Sequence, residues 1–236
     1  MDFNWERDLI SINSKADYHI FEVFVRCHNS FIYKPLKGVC GKGVKIYKDV
    51  SKDTKDLFSR FIEDGPFVIE EIIEQGEEMA VLHRESINTL RVATFRINNE
   101  VIIYGAAVRM GTGNSIVDNA GSGGIYCHVN PEYGFIDTNA RDYLSNKYVF
   151  HPDTGVRFIG FDIPQWEEVQ LLVKEMAMAV EDATVISWDL AYSTKGWCMV
   201  EANDVGEPNL IQCNGEYNKY IILGLIDKYM SLKLNN

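Results

Sequence analysis

The segment from Thr89 to Arg109 constrains the fold of this chain more than any other. It reads TLRVATFRI (89–97) and EVIIYGAAVR (100–109), two β-rich runs joined at Asn98-Asn99, which is the sequence form of a tight hairpin. A second hairpin is expected over residues 31 to 48, where FIYKP and VKIYK flank Gly38, Gly41 and Gly43. A third is expected over 185 to 203, where VISWDLAY and WCMVEAN are joined by Ser193-Thr194-Lys195-Gly196. Hairpins make antiparallel pairs, because parallel strands need long crossovers. FVIEEII (67–73) suits a buried strand, and residues 15 to 27 read as a helix leading into a strand.

Helices are expected at 54–64, closed by Gly65-Pro66, and from about Lys219 to Lys233. Another is expected at 165–181, where Trp166, Val169, Val173, Met176, Ala177 and Val180 recur at helical spacing. Hairpins with helices packed on them give an α+β fold, not a doubly wound parallel sheet. A composition 46% hydrophobic and 24% charged supplies enough apolar material for a core over 236 residues.

The third hairpin carries the densest chemistry. Pairing symmetric about Lys195 sets Asp189 opposite Glu201, and Asn203, two residues on, returns to the same face. Three oxygen donors at one end of a sheet face suit Mg²⁺, with its other positions left to water and phosphates. The plainer alternative is a pair of solvent-facing charges on an edge hairpin, although directly opposed like charges repel unless a cation lies between them.

YKPLKGVCGKGVKIY places Lys34 at a strand end before a loop of three glycines. Such a loop can bring backbone N–H groups close to phosphate oxygens. It is no Walker A loop, since a strand and not a helix follows, and an ordinary glycine hairpin with solvated lysines reads the same residues. From Arg109 to Ile125 runs RMGTGNSIVDNAGSGGI, with five glycines. Arg109 could clamp a phosphate or acyl phosphate in bidentate fashion, and Asn119 could add a neutral donor or a metal ligand. Arg91 is either a second cation in the same cavity or the partner of a structural carboxylate such as Glu78. Asp118 suits an Asx turn.

In order, these pieces resemble the ATP-grasp superfamily over roughly residues 31 to 216. The glycine hairpin Lys34 to Gly43 comes first, then a hinge strand IEEIIEQGEE and an arginine strand INTLRV. Arg109…Asn119…Gly123-Gly124 follows, then Asp189…Glu201-x-Asn203. The arginine–asparagine–glycine stretch is similar to that of ribosomal-protein glutamate ligases and glutathione synthetases. INTLRV, VDNAGSGGI, HPDTG, FDIPQW and SWDLA are similar to the sugar-transfer-associated ATP-grasp family, found with polysaccharide and cell-envelope genes.

The resemblance implies an ATP-grasp fold in which nucleotide is held between a small lid subdomain (1–75) and a larger antiparallel-sheet subdomain (76–236). The N-terminal domain would be shortened or absent, since about thirty residues precede Lys34. It implies ATP and Mg²⁺, with Lys34 on the phosphates and the backbone of Gly38, Gly41 and Gly43 as lid. The backbone of Glu71, Ile72 and Ile73 would meet adenine, with Glu70 near its amino group, and Glu77 (or Glu74) would take the ribose. Asp189, Glu201 and Asn203 match the family's metal ligands. Arg109, Arg91 and Asn119 would serve transfer of the γ-phosphoryl group to a small carboxylate, which a nucleophilic acceptor then attacks. Lys15 is a stand-in for a second phosphate lysine, and much of the acceptor surface is expected either to be missing or to be supplied by a partner chain or a second copy. The alternatives are an ATP-binding regulatory or assembly subunit and a kinase-like phosphotransferase.

A formal charge of −11 argues against nucleic acid as a partner. The five cysteines (Cys27, Cys40, Cys127, Cys198, Cys213) lack disulfide or zinc spacing and are expected reduced. The start has no leader pattern and no apolar run suits a bilayer, so a cytoplasmic protein is expected. His151 either faces the cavity or sits in a Pro152-Asp153 turn. His19, His28, His83 and His128 have no ligand spacing, and Ser122 has no nucleophile elbow.

Overall fold

The structure, a computed structural model, describes residues 8–37, 43–51, 53–180, 182–204, 208–212 and 217–234. The chain divides into two compact units, one of Glu6–Glu74 and a larger one formed chiefly by Gln75–Asn236.

In the smaller unit, strands β1 (Leu9–Ile12), β2 (Phe31–Pro35), β3 (Lys45–Tyr47) and β4 (Phe67–Glu71) form an antiparallel sheet in the order β1-β4-β2-β3. Alternation sends Phe31, Tyr33, Phe67 and Ile69 to one face, where all are nearly or fully buried. Helices α1 (Tyr18–Cys27) and α2 (Lys55–Glu63) close over that face with Phe21, Phe24, Val25, Leu57, Phe58 and Phe61. The rings meet mostly edge to face, as Phe21 does with Phe31, Phe61 and Phe67. Each such ring contributes roughly 1.5–3 kcal/mol by burial, which makes this aromatic cluster the main support of a small unit. Lys34 and Glu70 lie on the opposite face by the same alternation.

One expectation needs correction here. Residues 15 to 27 are a 3-10 turn (Lys15–Asp17) followed by helix throughout, and the next strand begins only at Phe31. Phe21, Phe24 and Val25 recur at i, i+3 and i+4, so burial of a helical face outweighs the β propensity of IFEVFV. The second hairpin forms as expected, with Phe31 opposite Tyr47. Gly38 and Gly41 lie outside the described residues. Gly43 adopts φ +83°, and a side chain there would meet Pro35 Cγ at 2.8 Å.

The larger unit holds α3 (Glu77–Ala80), β5 (Thr89–Ile97), β6 (Glu100–Met110), β7 (Ile125–Val129), β8 (Ala140–Arg141) and β9 (Lys147–Tyr148). Then come α4 (Trp166–Ala179), β10 (Val185–Ser193), β11 (Gly196–Asn203), α5 (Pro208–Ile211) and α6 (Tyr217–Leu234). The strands form one antiparallel sheet in the order β11-β10-β5-β6-β7-β8-β9. Helix α4 packs Trp166, Val169, Val173 and Met176 against Leu90, Val92, Val108, Trp188 and Leu190. Trp188 also donates from Nε1 to Thr94 Oγ1 at 2.9 Å, so its polar atom is satisfied inside the core. Helix α6 covers Phe95 and Ile97 with Leu225, on the face that alternation gives also to Thr89 and Arg91.

The β10–β11 hairpin brings Asp189 opposite Glu201, but by a different route from symmetry about Lys195. Ser193 pairs with Gly196, Ala191 with Cys198 and Leu190 with Met199, so the turn is the two residues Thr194-Lys195. A bulge after Asp189 then shifts the register and restores the Asp189–Glu201 and Ser187–Asn203 pairs. Among the described residues Cys27, Cys127 and Cys198 form no disulfide, and no helix is long and apolar enough to cross a membrane.

Candidate functional site

The sheet of the larger unit has one apolar face under α4 and one face that turns polar at the end beyond α6. Thr89, Arg91, Arg109, Asp189 and Ser187 all lie on the second face, because each alternates with a core residue of its strand. Arg91 and Asp189 are also Cα partners across the β5–β10 ladder. This juxtaposition needs β5 between β6 and β10, so that both arginines reach one carboxylate.

Asp189 is 1% exposed and Arg91 is 6% exposed. Arg91 donates from Nε to Asp189 Oδ1 and from Nη2 to Oδ2, each at 2.7 Å, a bidentate pair. Arg109 adds a third bond from Nη2 to Oδ2 at 2.9 Å. A buried carboxylate without such partners would be very costly. The arginines therefore neutralise Asp189 from β5 and β6, and its place opposite Glu201 requires no cation. Arg91 takes Asp189 as its partner, not Glu78.

A second bracket fixes Arg109. Its Nε and Nη2 donate to Thr89 Oγ1 at 2.9 and 2.7 Å. Thr89 Oγ1 in turn donates to Asp118 Oδ2, which also accepts from Thr89 N at 3.1 Å. Asp118 lies 3.6 Å from Arg109 Nε. Of the five guanidinium hydrogens, three are held by Thr89 and Asp189, and the two on Nη1 meet no acceptor among the described residues. Thr89 and Asp118 were not expected in these roles, since a threonine at a strand start and an Asx turn look structural in sequence.

Asn119 caps the short turn Ala120–Ser122, its Oδ1 accepting from Gly121 N at 3.0 Å. Its carbonyl accepts from Ser122 N and Gly124 N, so its visible work is to shape the loop. Glu201 is exposed, and its side chain makes no hydrogen bond or ion pair among the described residues. Asn203 is half-buried, with Nδ2 buried and without a hydrogen-bond partner among the described residues, and its cross-strand neighbour Ser187 has a buried Oγ in the same condition. Two such polar atoms on paired residues are the sort of feature a polar ligand resolves.

The donors fit a hard divalent cation. Glu201 offers a carboxylate and Asn203 an amide oxygen. Asp189 has three of its four lone-pair positions filled by arginine, leaving one on Oδ1. In the smaller unit, Lys34 Nζ donates to Glu70 Oε2 at 2.7 Å, where Glu70 is 6% exposed. Glu70 therefore holds the lysine in place. Glu71, Ile72 and Ile73 are half-buried, with β4 ending at Glu71. Glu77 is exposed, and its bonds to Arg84 (2.5 and 2.7 Å) hold its carboxyl below the usual carboxylate range. Glu77, Gln165, Tyr192 and Lys195 line an open hollow of about 590 Å³.

The family model described as sugar-transfer associated ATP-grasp matches residues 3–218. No curated protein matches the chain. Among solved structures, the chain is similar to VanG D-Ala:D-Ser ligase from Enterococcus faecalis, with TM-score 0.56 and 12% identity over 94% of this chain and 56% of that one. It is similar to D-alanyl-alanine synthetase A from Vibrio cholerae, with TM-score 0.53 and 9% identity over 95% of this chain and 60% of that one. A third likeness is to D-alanine–D-alanine ligase from Bacillus anthracis, with TM-score 0.51 and 14% identity over 97% of this chain and 63% of that one. The chain spans 56–63% of the length of these three proteins, and at such identities the likeness is one of fold.

Proposed function

The chain belongs to the sugar-transfer associated ATP-grasp family, and from that premise we propose that it is an ATP-dependent ligase joining a carboxylate to an amine or other nucleophile in polysaccharide or envelope assembly. The observation that carries this reading is Arg109. Three of its N–H groups are spent on holding it, while the Nη1 pair meets no acceptor among the described residues and is available to an anionic group.

A carboxylate is a poor acyl donor, because its leaving group would be oxide. In the reaction proposed, a carboxylate oxygen attacks the γ-phosphorus of ATP, ADP leaves, and an acyl phosphate forms. The nucleophile then attacks the acyl carbon and inorganic phosphate departs. The protein's part is to position the reactants and stabilise charge on the moving phosphoryl group. Arg109 would hold that charge through Nη1, with its aim set by Thr89, Asp118 and Asp189. Arg91 would keep Asp189 ionised. Lys34, steadied by Glu70, would contact the nucleotide phosphates, and the backbone of Glu71–Ile73 with Glu77 would take adenine and ribose. Glu201 and Asn203, with the remaining Oδ1 position of Asp189, would hold Mg²⁺, which when bound supplies charge neutralisation to the phosphates.

Incubation with Mg²⁺-ATP, candidate sugar acids and amines tests the reaction. Release of ADP and phosphate with a mass-identified conjugate is expected. AMP and pyrophosphate would overturn the acyl-phosphate route, and a stable phosphorylated acceptor would make the protein a phosphotransferase.

A further inference from the structure

Two buried histidines that this chemistry does not use lie beneath the start of the loop that follows Arg109. His83 and His151 are 2% and 1% exposed, and their rings stack with centroids 5.5 Å apart. His83 Nε2 lies 3.0 Å from Gly113 O, and His151 Nε2 lies 3.0 Å from Gly111 O. A carbonyl only accepts, so both Nε2 atoms carry a proton. On the other side, Ser86 N donates to His83 Nδ1 at 3.2 Å and Asp153 N donates to His151 Nδ1 at 3.3 Å. A backbone N–H only donates, so both Nδ1 atoms are unprotonated acceptors.

The remaining backbone groups of the two glycines are also held. Gly111 N donates to Ser86 Oγ at 3.1 Å, and Gly113 N donates to Asp153 Oδ2 at 2.7 Å. All four polar backbone groups of Gly111 and Gly113 therefore end on one cluster. Gly111 also has to be glycine, because a side-chain carbon there would meet Ser86 Oγ at 2.5 Å and His83 Nδ1 at 2.9 Å.

We infer that His83 and His151 are positioning residues for the 111–124 loop, which they clamp through protons on Nε2, and that the clamp holds only while the His151 imidazole is neutral. Protonation of His151 Nδ1 removes the acceptor of the Asp153 N–H and sets a cation beside the stacked His83 ring. The groups facing the pair are few. Ser86 Oγ stands 2.8 Å from His83 Nδ1, Asp153 Oδ2 stands 3.9 Å from His151 Nδ1, the Phe158 ring packs on His151, and the neutral Gln75 side chain bonds His83 O. Arg84 and Glu77 pair with each other at the surface. Burial pushes the His151 imidazole below its ordinary value of 6.5, and this outweighs the opposing pull of Gly111 O and Asp153. The unfolded chain then binds more protons as pH falls below 6.5, so the clamp is at full strength above that value and weakens below it.

The test needs neither nucleotide nor turnover, so it stands apart from the ligase reading. Nitrogen NMR of labelled histidines should show both rings as neutral Nε2–H tautomers at about pH 7.5. Hydrogen exchange at 111–113, corrected for the intrinsic rate, should accelerate about tenfold or more between about pH 7.5 and about pH 5. His151→Gln keeps an N–H at the Nε2 position and should retain protection with little pH dependence, whereas His151→Phe should lose protection at every pH. An Nδ1–H tautomer or an imidazolium at the higher pH would overturn the inference, as would wild-type protection that ignores pH. The wild-type measurements decide this even where a variant fails to fold.

Discussion

Strands β10 and β11 each carry a carboxylate at the same level of one ladder, Asp189 and Glu201, and the two live in opposite surroundings. β10 is an inner strand, buried on both faces from Ile186 to Tyr192, while β11 is the sheet edge and is mostly half-buried or exposed. Asp189 is closed in by three arginine hydrogen bonds, whereas Glu201 has no partner among the described residues. Equal charge at equal register therefore supports different work. The inner carboxylate holds two arginines in place, and the outer one is free to meet a ligand. A hairpin placed with one strand inside the sheet and one at its rim yields this division without any difference in the acids themselves.

The largest effect that can break this comparison is expected at Asp189. Asp189→Ala leaves Arg91 and Arg109 without their shared anion, which should cost about 3–5 kcal/mol. Urea unfolding followed by the fluorescence of Trp166, Trp188 and Trp197 measures it. A loss near zero would mean that the inner carboxylate is no more engaged than the outer one. Thr89→Val keeps the strand but removes the hydroxyl between Arg109 and Asp118, and should cost about 1–3 kcal/mol by the same measurement. If Thr89→Val were silent, the bracket around Arg109 would not be holding it. Glu201→Gln should leave stability within about 0.5 kcal/mol, as expected for an exposed side chain. Calorimetry with Mg²⁺-ATP should nevertheless show weaker binding. Unchanged nucleotide affinity would remove Glu201 from the proposed cation site and sharpen the roles left to Asn203 and Asp189.

Much of this architecture was legible in the residues. TLRVATFRI and EVIIYGAAVR announce their hairpin by alternation and by the turn residues between them, and the Trp166 helix declares itself through helical spacing of apolar residues. The order of the motifs carried the fold family, and the family match agrees with it. Other parts were not legible. Leu9–Ile12 is a strand only because β4 stands beside it, and Ile125–Val129 only because it extends the sheet from β6. The pairing of Asp189 with Glu201 was anticipated, but the bulge that produces it was not, since a bulge answers to neighbours on both sides of a strand. The joint roles of Thr89 with Asp118, and of His83 and His151 with Gly113 and Gly111, were hidden because those partners lie 29, 30 and 40 residues apart in sequence.

The amino-acid sequence alone determined the hairpins, the helical faces and the set of acids, amides and arginines available for chemistry, because alternation and helical spacing are local regularities. Only the tertiary structure decided which charge answers which. Arg91 meets Asp189 across 98 residues of sequence, and Arg109 meets it across 80. Both contacts depend on β5 lying between β6 and β10. A period of two tells each strand which way its side chains point, but which strands become neighbours is settled by packing the whole sheet against its helices.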